Sequence, residues 1–241
     1  MGAVLKLPLE FPARFAPGAE GDALVTTIAG ESVQLLAERA LYWPRERMLC
    51  VADVHLGKAA SFRAGGVPVP RGATATDLGR LSALLARTGA IRLVVLGDFL
   101  HARSGRVPAL DAAFEAWRGA HSATHITLVR GNHDAHAGDP PPAWGIEVVS
   151  EPHPVAPFLL CHMPAQPRTG YALCGHLHPG VRLSGSGFDT ARLPCFVIGL
   201  RRALLPAFGR LTGLADAPRA PGELVVAIAG TRLFPLPQTF G

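Results

Sequence analysis

Short apolar runs alternate with helical patterns through the first half of the chain. Runs at 48–52, 93–96 and 126–129 have the length and composition of buried strands. Between them, leucines at helical spacing predict a helix over 74–88, and Pro108 opens a second predicted helix with one apolar face. Strands that alternate with helices predict parallel strands joined by crossover helices.

The second half of the chain is rich in strand patterns. Apolar runs at 158–161, 171–174, 195–200 and 224–229 are separated by turns that contain Gly and Pro. The whole pattern predicts an α/β fold of two packed mixed sheets flanked by helices. Residues 1–30 are weakly periodic, and we expect a flexible or loosely docked N-terminal segment before a single domain over 31–241.

Composition narrows the class of protein. Of the 241 residues, 49% are hydrophobic and 17% are charged, which supports a sizeable core and argues against disorder. The net charge of +5 suits a polyanionic partner, but it equally fits a composition in which Arg greatly outnumbers Lys. The four cysteines form no Cys-x-x-Cys pair and lie in or beside apolar runs, which favours a cytoplasmic setting. No stretch reads as a signal peptide or a membrane span, so no membrane association is expected.

Polar residues that can bind metal ions follow five of the apolar runs. The carboxyl ends of strands converge on one crevice in an α/β sheet, so these residues are expected to meet in one place. They are Asp53 and His55, Asp98 and His101, Asn132 with His133 and Asp134, His162, and finally His176 and His178.

The residue types indicate the chemistry of this site. Imidazole and carboxylate groups with one amide oxygen suit a borderline divalent ion. A carboxylate has two oxygens and can bridge two cations. Two ions about 3.5–4 Å apart can hold a hydroxide for attack on phosphorus and neutralise the charge of a phosphate. The pattern predicts a phosphoesterase that uses two divalent ions, Mn²⁺ first, with Fe or Zn as alternatives.

The motifs D-x-H, G-D-x-x-H, G-N-H-D and G-H-x-H resemble those of calcineurin-like metallophosphoesterases. More narrowly, the chain is similar to the bacterial ligase-associated DNA damage response endonuclease family. The matching stretches are LYWP (41–44), ADVHLGK (52–58), FRAGGVPVPRG (62–72), CGHLHP (174–179) and LPAFGRLT (205–212). The resemblance implies the calcineurin-like phosphoesterase fold, a four-layer α-β-β-α sandwich.

The resemblance also implies a role for each site residue. The first ion would be held by Asp53, His55 and His178, the second by Asn132, His162 and His176, and both by Asp98. His133 would contact the phosphate and protonate the leaving oxygen, with Asp134 orienting its ring. His101 stands where many superfamily members carry an acidic residue, and repair nucleases of the superfamily often carry His there. His101, Arg63 and Arg103 are candidate substrate contacts; for the two arginines the alternative is a solvated basic face.

The implied function is a DNA endonuclease that acts on single-stranded or damaged DNA in repair. A DNA ligase and a helicase are the partners that the resemblance implies. One alternative is a small-molecule phosphatase or cyclic-nucleotide phosphodiesterase with the same metal core. A second alternative is a non-catalytic binding scaffold that has kept the fold.

Overall fold

The first of two sheets contains seven strands in the order of the chain. The computed structural model describes residues 22–184, 190–217 and 220–237. Strands β1 to β4 form an antiparallel meander, and β4 to β7 are parallel. The strands are β1 (Ala23–Ile28), β2 (Glu31–Leu36), β3 (Ala40–Trp43), β4 (Met48–Val51), β5 (Arg92–Leu96), β6 (His125–Val129) and β7 (Ile146–Val149).

The second sheet is also mixed. Its main path runs β14-β11-β12-β13-β10-β9-β8, and β15 pairs with both β12 and β16. Strands β9, β10 and β13 are parallel to one another. The strands are β8 (His153–Val155), β9 (Phe158–Leu160), β10 (Tyr171–Cys174), β11 (Pro179–Ser184), β12 (Thr190–Ile198), β13 (Arg202–Leu204), β14 (Ala215–Asp216), β15 (Leu224–Ala229) and β16 (Arg232–Pro235).

The helices of the described residues follow β4 and precede β7 along the chain. They are α1 (Lys58–Ala64), α2 (Ala73–Thr88), α3 (Pro108–Ala120) and α4 (Asn132–Ala137). Short 3-10 turns lie at Pro44–Glu46, Arg103–Gly105 and Pro142–Trp144. Leucines of α2 and the aromatic residues of α3 pack in one cluster with the outward side chains of β4 and β5. Both helices were predicted from the leucine spacing and from Pro108, and both are confirmed.

The two sheets face each other across a shared core cluster. Trp43 and Met48 of the first sheet belong to the same cluster as Phe158 and Phe196 of the second. The ring of Trp43 meets that of Phe158 edge-on, with centroids 4.8 Å apart. The predicted fold of two mixed sheets flanked by helices is confirmed. Its helices, within the described residues, all lie between 58 and 137.

The first strand of the sheet, β1, lies inside the N-terminal segment that was expected to be loosely docked. Residues 1–21 of the expected loosely docked segment, 1–30, lie outside the described residues. Within the remainder of that segment, β1 pairs along its whole length with β2 and buries Leu24 and Ile28 in the core. In the described part of the chain, no helix is long and apolar enough to span a bilayer.

Candidate metal centre

The structure brings the predicted ligands together at one edge of the two sheets. Asp53, Asp98 and Asn132 follow the parallel strands β4, β5 and β6. His162 follows β9, and His176 and His178 follow the parallel strand β10. The carboxyl ends of both parallel sets open on the same crevice, so side chains from widely separated parts of the chain become neighbours.

Five of these residues have left-handed backbone conformations, which are uncommon outside glycine. Side chains leave a strand end in a different direction when the backbone turns in this way, and such turns gather at functional sites. The five residues, with their φ angles, are Asp53 (53°), His55 (52°), Asp98 (52°), His176 (71°) and His178 (47°).

The first donor group contains Asp53, His55 and His178. Their ligand atoms all lie within 4.8 Å of one another. Nε2 of His178 is 3.5 Å from Oδ1 of Asp53 and 3.5 Å from Nε2 of His55. This is the set that the resemblance implies for the first ion.

The second donor group contains Asp98, His162 and His176, again within 4.8 Å. The amide oxygen of Asn132 lies 2.9 Å from Nε2 of His162, and Nδ1 of His176 lies 3.1 Å from the same nitrogen. Asn132 therefore joins this group, as the resemblance implies.

Asp98 lies between the two groups. Its Oδ1 is 3.4 Å from Nε2 of His162, whereas its Oδ2 is 3.9 Å from Nε2 of His55. One carboxylate oxygen thus faces each group. The backbone N–H of His133 donates to Oδ1 at 2.9 Å and helps to fix this orientation.

The electrostatics of the centre fit divalent cations. The Asp53 and Asp98 side chains are 0% and 2% exposed. Within the described residues, no Arg or Lys forms an ion pair with either of them, so the buried negative charge calls for another cation. Burial lowers the pKa of His55 to about 2, with a smaller contribution from the positive charge of Lys58. The imidazole therefore stays neutral and keeps a lone pair for a metal ion.

Backbone contacts fix the tautomer of His162. Its Nδ1 lies 3.0 Å from the carbonyl oxygen of Leu96, which can only accept, so this nitrogen carries the proton. The lone pair of the neutral ring is then on Nε2, the atom that faces Asp98 and Asn132. Such an outer hydrogen bond is common for metal-binding histidines.

His162 packs against glycine. Gly97 has φ of 76°, and a Cβ added there would lie 2.1 Å from Nδ1 of His162. Only a residue without a side chain allows the imidazole to lie over the end of β5. The glycine of the G-D-x-x-H motif is therefore required by the second donor group.

His133 lies beside the two donor groups and is more exposed than Asp53, Asp98 or His162. Its side chain is 39% exposed, and its Nε2 is 4.0 Å from Oδ2 of Asp98. Its Nδ1 lies 2.8 Å from the carbonyl oxygen of His101 and donates to it. The rings of His101 and His133 are stacked, with centroids 5.0 Å apart. Nε2 of His133 is thus directed toward the crevice.

The expected role of Asp134 differs from its contacts in the structure. Sequence resemblance assigns it to the ring of His133, but its carboxylate accepts backbone N–H groups of Leu100 and Gly131, at 2.8 and 2.9 Å. Burial raises its pKa to about 6, and these hydrogen bonds oppose the rise. Asp134 therefore fixes the loops after β5 and β6, and the His101 carbonyl orients the His133 ring.

The residues proposed as substrate contacts have different partners. Nδ1 of His101 is 3.3 Å from Nδ1 of His55, and burial lowers the pKa of His101 to about 4. Arg63 donates to the carbonyl oxygens of Val69 and Pro70. Arg103 donates through Nε to the carbonyl oxygen of His136. Both residues are exposed; Arg63 contacts the loop before α2, whereas Arg103 contacts α4.

Glu151 is a supporting residue that the sequence patterns did not indicate. Its Oε2 accepts the backbone N–H groups of His162 and Met163, at 2.6 and 2.8 Å. A carboxylate that binds only backbone groups belongs to no metal-ligand motif. It holds the turn after β9 that carries His162.

The chain is similar in sequence and structure to a known nuclease. The chain is 43% identical to a nuclease named MPE from Pseudomonas putida, whose crystal structure matches with a TM-score of 0.79. The match covers 89% of this chain and 100% of that one. A phosphoesterase from E. coli, Yfce, matches at 16% identity over 76% of this chain and 87% of its own, but its TM-score of 0.40 supports no argument. No family model and no curated protein matches.

The match extends over the whole length of the Pseudomonas protein. The described His and Asp groups form candidate sites for divalent metal ions. This chain is a hydrolase of phosphoester bonds that depends on metal. At this identity and coverage, it belongs to the calcineurin-like metallophosphoesterases, in the same family as the Pseudomonas putida nuclease.

Proposed function

We propose that the chain is a two-metal DNA endonuclease that acts on single-stranded or damaged DNA in repair. The observation that supports two ions is the position of Asp98. Its two oxygens face separate donor groups, one with His55 and one with His162. A single ion would leave one of these groups of buried donors without a cation.

The proposed ligands are those expected from the sequence. Asp53, His55 and His178 hold the first ion, Asn132, His162 and His176 hold the second, and Asp98 contacts both. Mn²⁺ is the proposed metal, because imidazole, carboxylate and amide donors without thiolate suit it; Fe and Zn are the alternatives. When bound, the ions supply Lewis-acid chemistry, since they make an attacking water more acidic and neutralise phosphate charge.

His133 acts as the proposed general acid. With its Nδ1 proton donated to the carbonyl of His101, the ring presents Nε2 to the crevice. A proton on Nε2 passes to the leaving oxygen as the bond between that oxygen and phosphorus breaks. The stacked ring of His101 limits rotation of His133 and lies where it can contact a neighbouring phosphate.

The proposed substrate rests on family membership and on charge. The Pseudomonas relative is a nuclease, and the net charge of +5 favours a polyanion. Exposed Arg63 and Arg103 are proposed substrate contacts. A role in repair alongside a ligase and a helicase is proposed from the sequence resemblance alone.

A substrate panel with several divalent metals tests the proposal. Circular single-stranded DNA, linear single-stranded DNA, p-nitrophenyl phosphate and a cyclic nucleotide are incubated with the enzyme and Mn²⁺, Fe²⁺ or Zn²⁺. We expect cleavage of the circular strand, which has no end, and its loss in Asp98→Asn. Turnover of the monoester or the cyclic nucleotide with no cleavage of either DNA would overturn the proposed substrate.

A further inference from the structure

A second concave surface lies beside the metal centre. It is a cavity of about 460 Å³ whose basic side carries Arg39, Arg80 and Arg210. Its lining also includes an apolar wall of Leu193, Pro194 and Ile228. We call this the arginine cavity.

The arginine cavity and the metal centre occupy the same edge of the first sheet. Strand β3 is antiparallel to β4, with Leu41 opposite Cys50. The turn before β3, which carries Arg39, is therefore at the carboxyl end of β4, where Asp53 follows. The cavity and the loop that carries Asp53 therefore lie at the same edge of the sheet.

One short segment forms the boundary between the two sites. Phe208 donates its backbone N–H to the carbonyl oxygen of Ala52 at 2.7 Å, and Gly209 donates to that of Asp53 at 3.1 Å. A Cβ on Gly209 would lie 2.4 Å from the carbonyl oxygen of Val54, so the segment is packed tightly against the ligand loop. Arg210 follows directly and lines the cavity.

Arg80 lines the cavity, and its guanidinium already has several partners. It donates to Asp77, to the carbonyl oxygen of Phe208 and to that of Glu38, at 3.0, 2.7 and 2.8 Å. Its guanidinium also lies 4.0 Å from the ring centroid of Phe208. Its charge is balanced by Asp77, so it has little capacity for a ligand.

Arg39 and Arg210 differ from Arg80 because neither forms an ion pair within the described residues. The guanidinium of Arg39 donates one hydrogen bond, to the carbonyl oxygen of Ala207 at 3.2 Å. The acidic residue of the cavity lining, Glu38, pairs with Arg87 at 2.8 Å. Burial is the main cause of a lowered pKa at Arg39; the positive charge of Arg80 adds to it, and the nearby carboxylate of Asp77 opposes it. A half-buried cation among like charges is stabilised by an anion, and guanidinium groups fit phosphate oxygens.

We infer that Arg39 and Arg210 bind a backbone phosphate of the DNA strand next to the segment cleaved at the metal centre. The apolar wall of Leu193, Pro194 and Ile228 then faces the sugar or base. This inference rests on the proposed function, because it assigns a further contact to the same substrate. A small diester occupies the metal centre alone and does not reach this cavity.

The test compares an oligonucleotide with bis(p-nitrophenyl) phosphate, a diester without flanking nucleotides. The variant is Arg39→Gln with Arg210→Gln, assayed with Mn²⁺ over a range of salt. We expect kcat/KM for the single-stranded oligonucleotide to fall about tenfold and its salt dependence, as a log–log slope, to weaken by about 0.7. The kcat/KM for the small diester is expected to stay within about twofold of wild type, since metal-site chemistry is untouched.

The matched control is Arg45→Gln with Arg47→Gln, which removes the same two positive charges. Both residues lie just before β4, at the end of that strand farther from the arginine cavity. If the control lowers oligonucleotide activity as much as the test variant, the effect is one of net charge and the inference is wrong. Unchanged activity and salt slope in the test variant also overturn it. Should the double variant not fold, Arg210→Glu alone reverses the charge at an exposed residue and is expected to give a loss at least as large.

Two further outcomes are separable. The first uses calorimetric titration of inorganic phosphate into the wild type and the Arg39→Gln, Arg210→Gln variant. If the variant loses phosphate binding but keeps its activity on the oligonucleotide, the cavity binds free phosphate and the DNA contact is overturned. A wild-type enzyme that hydrolyses the small diester but no oligonucleotide removes the proposed function itself, and the inference with it.

Discussion

The Nδ1 atom of His133 lies 2.8 Å from the carbonyl oxygen of His101. This hydrogen bond assigns the proton on the inner nitrogen and leaves Nε2 facing the crevice. A backbone carbonyl therefore orients the proposed acid, although the G-N-H-D motif suggests that the adjacent carboxylate does so. The same residue, His101, also stacks its ring on His133, so ring position and tautomer depend on one neighbour.

Replacing His133 by Ala should slow cleavage of DNA by about 10²–10⁴-fold, because the alkoxide leaves without a proton. Metal content should be unchanged, since His133 belongs to neither proposed ligand set. The loss should be much smaller with bis(p-nitrophenyl) phosphate, whose leaving group needs no proton. Rates on both substrates and metal content are the measurements, and equal losses on the two substrates would contradict the acid role.

Asp98→Asn should reduce the binding of both ions. The carboxylate faces His162 with one oxygen and His55 with the other, whereas an amide offers one oxygen and one N–H₂ donor. We expect less than one tightly bound metal ion per chain after dialysis, measured by elemental analysis. Asp111→Asn, in the first turn of α3, is the control. Retention of two ions by the Asp98 variant would refute a shared ligand.

Gly97→Ala should disturb the second donor group selectively. The new Cβ would overlap the ring of His162, and the left-handed backbone adds a penalty of about 1–2 kcal/mol. Gly79→Ala and Gly119→Ala are controls, because both residues lie in helices with no atom within 4 Å of the added Cβ. These should stabilise the protein by about 0.5–1 kcal/mol. The free energy of unfolding and the metal content of each variant are measured. If Gly97→Ala is as stable as the controls and binds as much metal, the close packing of Gly97 against His162 is unimportant.

Arg80→Met should destabilise the fold by about 1–3 kcal/mol, because two partly buried carbonyl oxygens and Asp77 lose their donor. Arg47→Met, whose guanidinium contacts only the exposed carbonyl of Gly89, should change stability by less than about 0.5 kcal/mol. Urea denaturation measures both. An Arg80 variant as stable as the Arg47 variant would mean that water replaces these contacts without loss.

The sequence predicted the site best where a residue that can bind metal directly follows a predicted strand. The run before Asp98 predicts strand 93–96, and the structure has β5 at Arg92–Leu96. Each polar cluster after such a run lies at the crevice, because strand direction fixes the edge at which the next residue emerges. The grouping of His178 with Asp53 and of His176 with His162 was expected only through family resemblance.

Other features depend on contacts between distant segments and had no sequence signal. The antiparallel strands β1 to β3 precede the alternating pattern, and β1 falls in a stretch that looked like a loose lead-in. Glu151 supports His162 through backbone N–H groups, which any sequence provides. The arginine cavity combines a turn near residue 39 with a segment near residue 210, and neither alone differs from an ordinary basic surface.

The left-handed backbone of five proposed ligands has a consequence for metal exchange. Hydrogen bonds between loops, such as that from the N–H of His55 to the carbonyl of Asp98 at 2.8 Å, maintain these conformations. Hydrogen bonds of the polypeptide itself therefore help to hold the donors in their arrangement. One ion can then replace another with little change in the loops, so the metal in use would follow supply in the cell and donor preference.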